Sequence, residues 1–387
     1  MTSKGKNNNL DAARLQQILA SMEEDVAQGR YLGAVIMVGR NGEQGLHEAV
    51  GYTDAEKQTP MRTDHVFSLF SVTKALTSVL ALRCVERGRF ALTTPVSQVI
   101  PEFGGRGRDP ITVRHLLTHS SGLPPVFSPG PDMFIDRLDE VIEALCNNLA
   151  PVAAPGEVVH YSPLAGHALL GEMVRRVDEK QRRFRDIMHQ DLLQPLGMDS
   201  SAVGVRADLR QRHVIPHFLQ PLPFGHPSRG NYGKDGAFQE EEAEMPWVGC
   251  IASVADMYRF GEMLRRGGEL DGARVLSPAM VERAARNHTG DAPNGMFRQL
   301  YHSLGWEQPP ACLGLGFVLR GDGIYHHHYG TLSSPGTFGS MGAGSTVFWV
   351  DPQRQMTFVC LRAGVMPEGG SIECFQRLSD MALSAAI

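Results

Sequence analysis

Ser71 and Lys74 lie three residues apart in "FSLFSVTKAL" (67–76), a run that is otherwise mostly apolar. Lysine is scarce in this chain, occurring only at positions 4, 6, 57, 74, 180 and 234. If a helix starts near Ser71, Lys74 sits one turn on, over the same face. Burial disfavours an ammonium, so a desolvated lysine drifts toward the neutral amine. A neutral amine can take the proton of a serine hydroxyl, which is the nucleophile-plus-base pairing of covalent catalysis. The helix N-terminus would favour the alkoxide and offer N–H groups to a developing oxyanion. The spacing alone is not specific, because Ser3 and Lys6 repeat it in a polar tail. A helix-terminal serine followed by a snorkelling lysine gives the same pattern.

The elements around this pair follow from periodicity. Residues 1–9 are polar, with three consecutive asparagines, and read as a disordered tail. Leu15, Ile18, Leu19, Met22 and Val26 fall on one helical face. "GAVIMVGRNGEQGLHEAVGY" reads as a hairpin turning at Asn41-Gly42. The stretch after Ser71 has helical spacing and ends at Gly88, a C′ residue. Ser253 and Asp256 are spaced like a capping box opening a later helix. Past residue 310 the period changes, and "LGLGFVLR", "GIYHHHYG", "STVFWV" and "MTFVCLR" read as strands. Ile372, Phe375, Leu378 and Met381 form the stripe of a last helix. Strands at both ends and helices between them predict an α/β (α+β) fold. One antiparallel sheet is built from both termini, 10–74 and 250–387, with a mainly helical domain, 75–249, inserted. That domain carries a long substrate-side loop, 214–248, of the length that is usually functional.

Composition bounds the partners. A net charge of −5 with no basic tract argues against nucleic acid and anionic lipid. No run of 18 apolar residues points to a membrane span, and the N-terminus lacks the apolar core of a signal peptide. The six scattered cysteines form no CxxC pair and read as reduced thiols of a cytoplasmic protein.

Five blocks occur in order: "FSLFSVTKALTSVLAL", "ITVRHLLTHSSGLP", "YSPLAGHALLG", "GCIASVADMYRFGEMLRRGGEL" and "FGSMGAGSTVFWVDP". From about residue 10 to the end, the series resembles the serine β-lactamase and penicillin-binding superfamily. The likeness is strongest to its class C-like branch, which holds family VIII carboxylesterases, D-aminopeptidase-like hydrolases, oligomeric-amide hydrolases and statin-type acyltransferases. A related branch carries the motifs S-x-x-K, S-D-N and K-T-G. The resemblance implies the β-lactamase-like fold, with Ser71 as nucleophile and Lys74 as its proton partner. It makes Tyr161, in Tyr161-Ser162-Pro163, the general base and acid. A phenol needs a neighbouring cation such as Lys74 to serve as a base near pH 7. The N–H groups of Ser71 and Ala343 would form the oxyanion hole.

Two departures bear on substrate. Pro163 stands where this branch has asparagine, and Ser340-Met341-Gly342 stands where it has Lys-Thr-Gly, His-x-Gly or Trp-Gly-Gly. No cation at Ser340 can pair with the carboxylate of a β-lactam or a cell-wall peptide. Ser340, Met341, Gly342, Pro163 and Trp247 are the expected substrate-binding residues, with Phe224 and Tyr232 as further aromatic candidates for the pocket. Gly342 and Gly344 would let the strand approach the substrate.

Other signals are set aside. His326-His327-His328 on a strand would put at most two ligands on one face, too few for a metal. His119 lies in a structural block where Ser120 or Ser121 makes turn hydrogen bonds. "GLG" at 314–316 is too short for a dinucleotide loop, and G-x-S-x-G is absent. "EEEAE" at 240–244 reads as solvated surface. The expectation is a serine hydrolase of a small-molecule ester, without metal or organic cofactor. The rivals are an amide or peptide hydrolase, an acyltransferase, and a catalytically silent binding protein on the same scaffold.

Overall fold

A computed structural model describes residues 9–130, 133–220 and 235–387. Residues 1–8 of the expected tail, Phe224, Tyr232 and the middle of the 214–248 loop lie outside the described residues. The first hairpin pairs Gly33–Arg40 with Glu43–Gly51, and Asn41 and Gly42 turn at φ 56° and 83°. Gly33–Arg40 pairs in turn with Met356–Ala363, with Gly33 opposite Ala363. Across the six-stranded antiparallel sheet the order is Glu43–Gly51, Gly33–Arg40, Met356–Ala363, Thr346–Asp351, Phe338–Gly342 and Val318–Leu319. The main sheet is therefore assembled from both ends of the chain.

Successive side chains of a strand point to opposite faces, and here both faces are covered. Val35, Met37, Phe348, Val350, Val359 and Leu361 face the core beneath helix Val254–Arg265, where Phe260 packs on Phe348 with ring centroids 5.5 Å apart. Ala34, Ile36, Val347, Trp349, Phe358 and Cys360 face helices Ala12–Ala27 and Glu368–Ser384. Burial on both sides explains the continuous apolar runs. Trp349 stacks on Phe358 at 5.2 Å, and its indole N–H donates to Ser379 Oγ at 2.9 Å, which fixes the last helix.

The middle of the chain carries helices Thr73–Glu86, Leu138–Asn148 and Ala165–Arg176, whose buried residues are continuous with the core under the sheet. Thr73 to Leu82 are all buried, so this helix shows no polar face. Among the described residues no helix is long and apolar enough to cross a membrane.

Several expectations need correction. A second sheet, ordered Ala202–Val203, Cys250–Ser253, Val66–Ser68, His213–Val214, accompanies the first. Its strands are too short to show a period. "GIYHHHYG" forms no strand. It wraps the last helix instead, with His327 N–H on Gln376 Oε1 and Ser379 Oγ–H on the His328 carbonyl. His326 stacks on Trp306 at 3.8 Å. Ser253 caps Asp256 N–H at 3.1 Å, but the Asp256 carboxylate turns to Ser200 N–H and Ser201 Oγ–H, leaving half a box. Of the acidic run, Ala243 and Glu244 are buried, with Glu244 accepting from Arg185 N–H at 3.1 Å.

Candidate active site

Strand Val66–Ser68 pairs with Cys250–Ser253 and runs into a single 3₁₀ turn, Phe70–Val72, ahead of helix Thr73–Glu86. Ser71 thus rides a tight turn just outside the α-helix. Phe70, immediately before it, has φ 49°, which a bulky residue avoids. Such a conformation costs about 1–3 kcal/mol and persists only where packing over-determines it. The Phe70 ring packs at 5.2 Å on Phe238 and 6.2 Å on Phe218.

The helix carries Lys74 back over the turn. Its Nζ lies 3.1 Å from Ser71 Oγ and donates to the Trp247 carbonyl at 2.9 Å. The side chain is 3% exposed and these partners are neutral, so burial holds its pKa well below the ordinary 10.5. Burial thus favours the free amine at Lys74. The Trp247 carbonyl takes up the hydrogen bond for which the asparagine replaced by Pro163 would be suited. The Trp247 side chain itself is sealed in the core at 1% exposure, so the expected aromatic pocket wall is instead a backbone acceptor. Sequence carries no signature for such a role.

Tyr161 reaches the same point from the loop before helix Ala165–Arg176. Its hydroxyl lies close enough to the Ser71 side chain to be influenced by it, and Lys74 Nζ stands 5.1 Å from its ring centre. Burial, with a smaller contribution from Glu368, raises the phenol above its ordinary 10.0, and the Ser71 contact only partly offsets this. Burial thus disfavours the charged forms of both Lys74 and Tyr161, where the resemblance implied a Lys74 cation lowering the phenol. Pro163 is buried beside it and presents no polar group.

Asn294, which has no local signature, and His119, expected to be structural, hold the backbone beside Tyr161. Asn294 Oδ1 accepts the Tyr161 N–H at 3.1 Å. His119 Nδ1 accepts the Ser162 N–H at 3.0 Å, and its ring lies 4.7 Å from that of Tyr161. Burial, then the neighbouring Lys74, drops the His119 pKa to about 3, so the ring is neutral with Nδ1 as acceptor. His119 therefore carries no triad geometry toward Ser71. Ser120 and Ser121 make the turn bonds expected of them, to Thr118 Oγ1 and Leu123 N–H. Phe297, 6.0 Å from Tyr161, flanks the ring on another side. Nothing in "DAPNGMF" signals these roles locally, because the segment docks from a distance in sequence.

Strand Phe338–Gly342 forms the opposite wall. A Cβ on Gly342 would lie 2.5 Å from the Leu69 carbonyl and 3.0 Å from Ser71 N. The glycine therefore serves contact with the nucleophile's backbone, where the sequence suggested substrate. Ser340 Oγ points toward the Ser71 carbonyl at 3.4 Å. Met341, on the alternate face, packs with the outer core and turns away from Ser71. Beyond Gly342 the chain turns through Ala343 and Gly344, at φ 33° and 66°, and Ser345 N–H closes on the Gly342 carbonyl at 3.0 Å. Two central residues at positive φ mark a type I′ turn. Gly344 abuts Met366, whose carbonyl would be 2.0 Å from an added Cβ.

Comparison with known proteins gives a consistent picture. The β-lactamase family model matches residues 18–372. Esterase EstB of Burkholderia gladioli is 32% identical over 314 residues, covering 73% of this chain and 76% of that one. A penicillin-binding protein homologue from Caulobacter crescentus superposes with a TM-score of 0.76 at 25% identity, over 96% of this chain and 97% of that one. EstCE1, described as a hydrolase with promiscuous acyltransferase activity, gives 0.79 at 21% identity over 96% and 99% of the two chains, which speaks for the fold alone.

Proposed function

The chain belongs to the β-lactamase family, and from that premise we propose that it is a serine hydrolase cleaving a small carboxylic ester through an acyl-Ser71 intermediate. The observation that carries this reading is the buried Lys74 amine 3.1 Å from Ser71 Oγ, its charge disfavoured by burial, with the Tyr161 side chain beside the same serine. Ser71 Oγ attacks the ester carbonyl while its proton passes to Lys74. The N–H groups of Ser71 and Ala343 receive the oxyanion. Tyr161, a phenol that keeps its proton, protonates the leaving alkoxide and is reprotonated by the Lys74 ammonium. Water then repeats the sequence on the acyl-enzyme, returning the acid and free Ser71.

The ester preference rests on two described residues of the cleft. A neutral Ser340 offers no ion pair to a carboxylate, and Pro163 offers no amide to a peptide group. No metal or organic cofactor enters any step. The half-buried Cys84 and the buried Cys146, Cys250, Cys312, Cys360 and Cys374, all free, suit a reducing compartment, and we place the enzyme in the cytoplasm.

The test is hydrolysis of p-nitrophenyl butyrate with intact-mass detection of the acyl-enzyme. Turnover and the acyl adduct must both vanish in Ser71→Ala. Undiminished turnover, or an adduct on another residue, overturns the reading. An acyl-transfer role, suggested by the EstCE1 likeness, requires acylated product when an acceptor alcohol is added. A silent binder would show no adduct at all.

A further inference from the structure

Arg362 is a buried cation that the mechanism above does not use. It lies on strand Met356–Ala363 and is 3% exposed. Its hydrogen-bond partners among the described residues are neutral: Nη2 donates to the Gly344 carbonyl at 2.9 Å and Ser371 Oγ at 2.8 Å, and Nη1 to Met366 Sδ at 3.2 Å. Its Nε has no partner there. The guanidinium lies 3.7 Å from the ring centre of Phe375 and 5.3 Å from that of Tyr31. Burying a cation without an anion is expensive, and an apolar residue of similar volume is often at least as stable in such a place. Ring faces return only part of that expense. Stability is therefore a weak explanation for Arg362.

Its position supplies a better one. We infer that Arg362 is a positioning residue of the oxyanion hole, locking the turn that carries the Ala343 amide. The inference rests on the role given to Ala343 above. Ala343 holds φ 33°, which a residue with a Cβ leaves unless its surroundings forbid it. Relaxation to negative φ would rotate the Ala343 N–H out of alignment with the rest of the turn. Arg362 clamps that turn from both sides: its N–H donates to the Ser345 carbonyl at 2.9 Å, and its guanidinium takes the Gly344 carbonyl. Met366 N–H donates to the same Gly344 carbonyl at 3.3 Å, and Ser371 ties the guanidinium to helix Glu368–Ser384. The guanidinium thus ties the turn to the last helix, beside the backbone bonds that join it to the sheet and to Met366.

The experiment compares wild type, Arg362→Met and Arg362→Lys. It measures kcat and KM for p-nitrophenyl butyrate, and Ki for a trifluoromethyl ketone analogue that forms a tetrahedral oxyanion on Ser71. Loss of one oxyanion donor costs about 10²–10³ in kcat, so a loosened donor in Arg362→Met is expected to cost about 10–100-fold. KM should stay within about threefold, Ki should rise by the same factor as kcat falls, and Arg362→Lys should recover part of both. A purely structural role would not move Ki in step with kcat. A folded Arg362→Met with unchanged kcat and Ki overturns the inference, as does a fall in kcat with Ki unchanged. If neither Arg362 variant folds, Ser371→Ala keeps the guanidinium but removes one anchor, and it must show a smaller parallel loss or the inference fails. Ser71→Ala that still turns over condemns the parent reading. Ser71→Ala that is dead beside a fully active Arg362→Met overturns this inference alone.

Discussion

Replacing Lys74 by arginine separates two roles for its nitrogen. As a base, Lys74 must be neutral, and burial at 3% exposure with a neutral carbonyl partner favours that form. As a standing positive charge beside Tyr161, it would instead lower the phenol. Arginine keeps the charge and cannot lose its proton. Loss of a positioned general base costs about 10²–10⁴-fold, or about 2.7–5.4 kcal/mol of transition-state stabilisation. Lys74→Arg should therefore lose as much kcat as Lys74→Met. The same burial has a signature in stability. In the unfolded chain the amine is protonated up to its ordinary 10.5, while in the folded protein it is neutral far below that. Between those two values the unfolded state binds the extra proton, so wild-type stability rises with pH, by at most about 1.4 kcal/mol per pH unit from this group. Lys74→Met lacks that slope. It should be more stable than wild type at neutral pH, by a margin that closes as pH rises toward 10.5. Urea denaturation at several pH values, beside p-nitrophenyl butyrate rates, measures both effects. Lys74→Arg retaining a rate within tenfold of wild type, or a stability margin that widens with pH, would refute the reasoning.

Tyr161→Phe should lower kcat about 10²–10⁴-fold for an alkyl ester and far less for a p-nitrophenyl ester, whose leaving group needs no proton; equal losses would remove Tyr161 as the acid. The wild-type rate should fall on the acid side as Lys74 gains its proton, and a flat profile down to the pH of acid unfolding would contradict a neutral-amine base. Gly342→Ala puts a Cβ 2.5 Å from the Leu69 carbonyl and 3.0 Å from Ser71 N, so kcat should drop about 10²-fold, with a lowered Tm by differential scanning calorimetry. A carboxylate-bearing ester should show kcat/KM no better than its neutral methyl-capped analogue, because the charge-assisted bond worth about 1.5–3 kcal/mol elsewhere has no donor at Ser340.

The parts of the site that were legible in the sequence are those whose chemistry resides in a side chain at fixed local spacing. Ser71 and Lys74 qualify because one helical turn fixes their separation, and Tyr161 because its block is distinctive. Trp247 was noticed for its ring, whereas its carbonyl is what meets Lys74, and backbone groups leave no mark on residue type. Met341 packs with the outer core because alternate side chains of a strand face opposite ways, and which of them face inward is set by the partner strand. "GIYHHHYG" has strand-forming residues but pairs with no strand among the described residues, and composition does not report neighbours. The sheet built from both termini was legible because the hairpin turn and the apolar periods are local. The short second sheet was not, since strands of two to four residues hold no periodic signal.

That assembly from both ends has a consequence for biosynthesis. Strand Gly33–Arg40 takes Met356–Ala363 as its inner neighbour, and the nucleophile turn rests on strand Phe338–Gly342. A nascent chain emerging from the ribosome carries Ser71, Lys74 and Tyr161 long before either of those strands exists. During that interval the first hairpin has an open inner edge, and the wall beside Ser71 is missing. Pairing across so long a stretch of chain is intrinsically slow, and an unpaired edge invites contact with other chains. The wall beside Ser71 can therefore close only after strand Phe338–Gly342 has been synthesised.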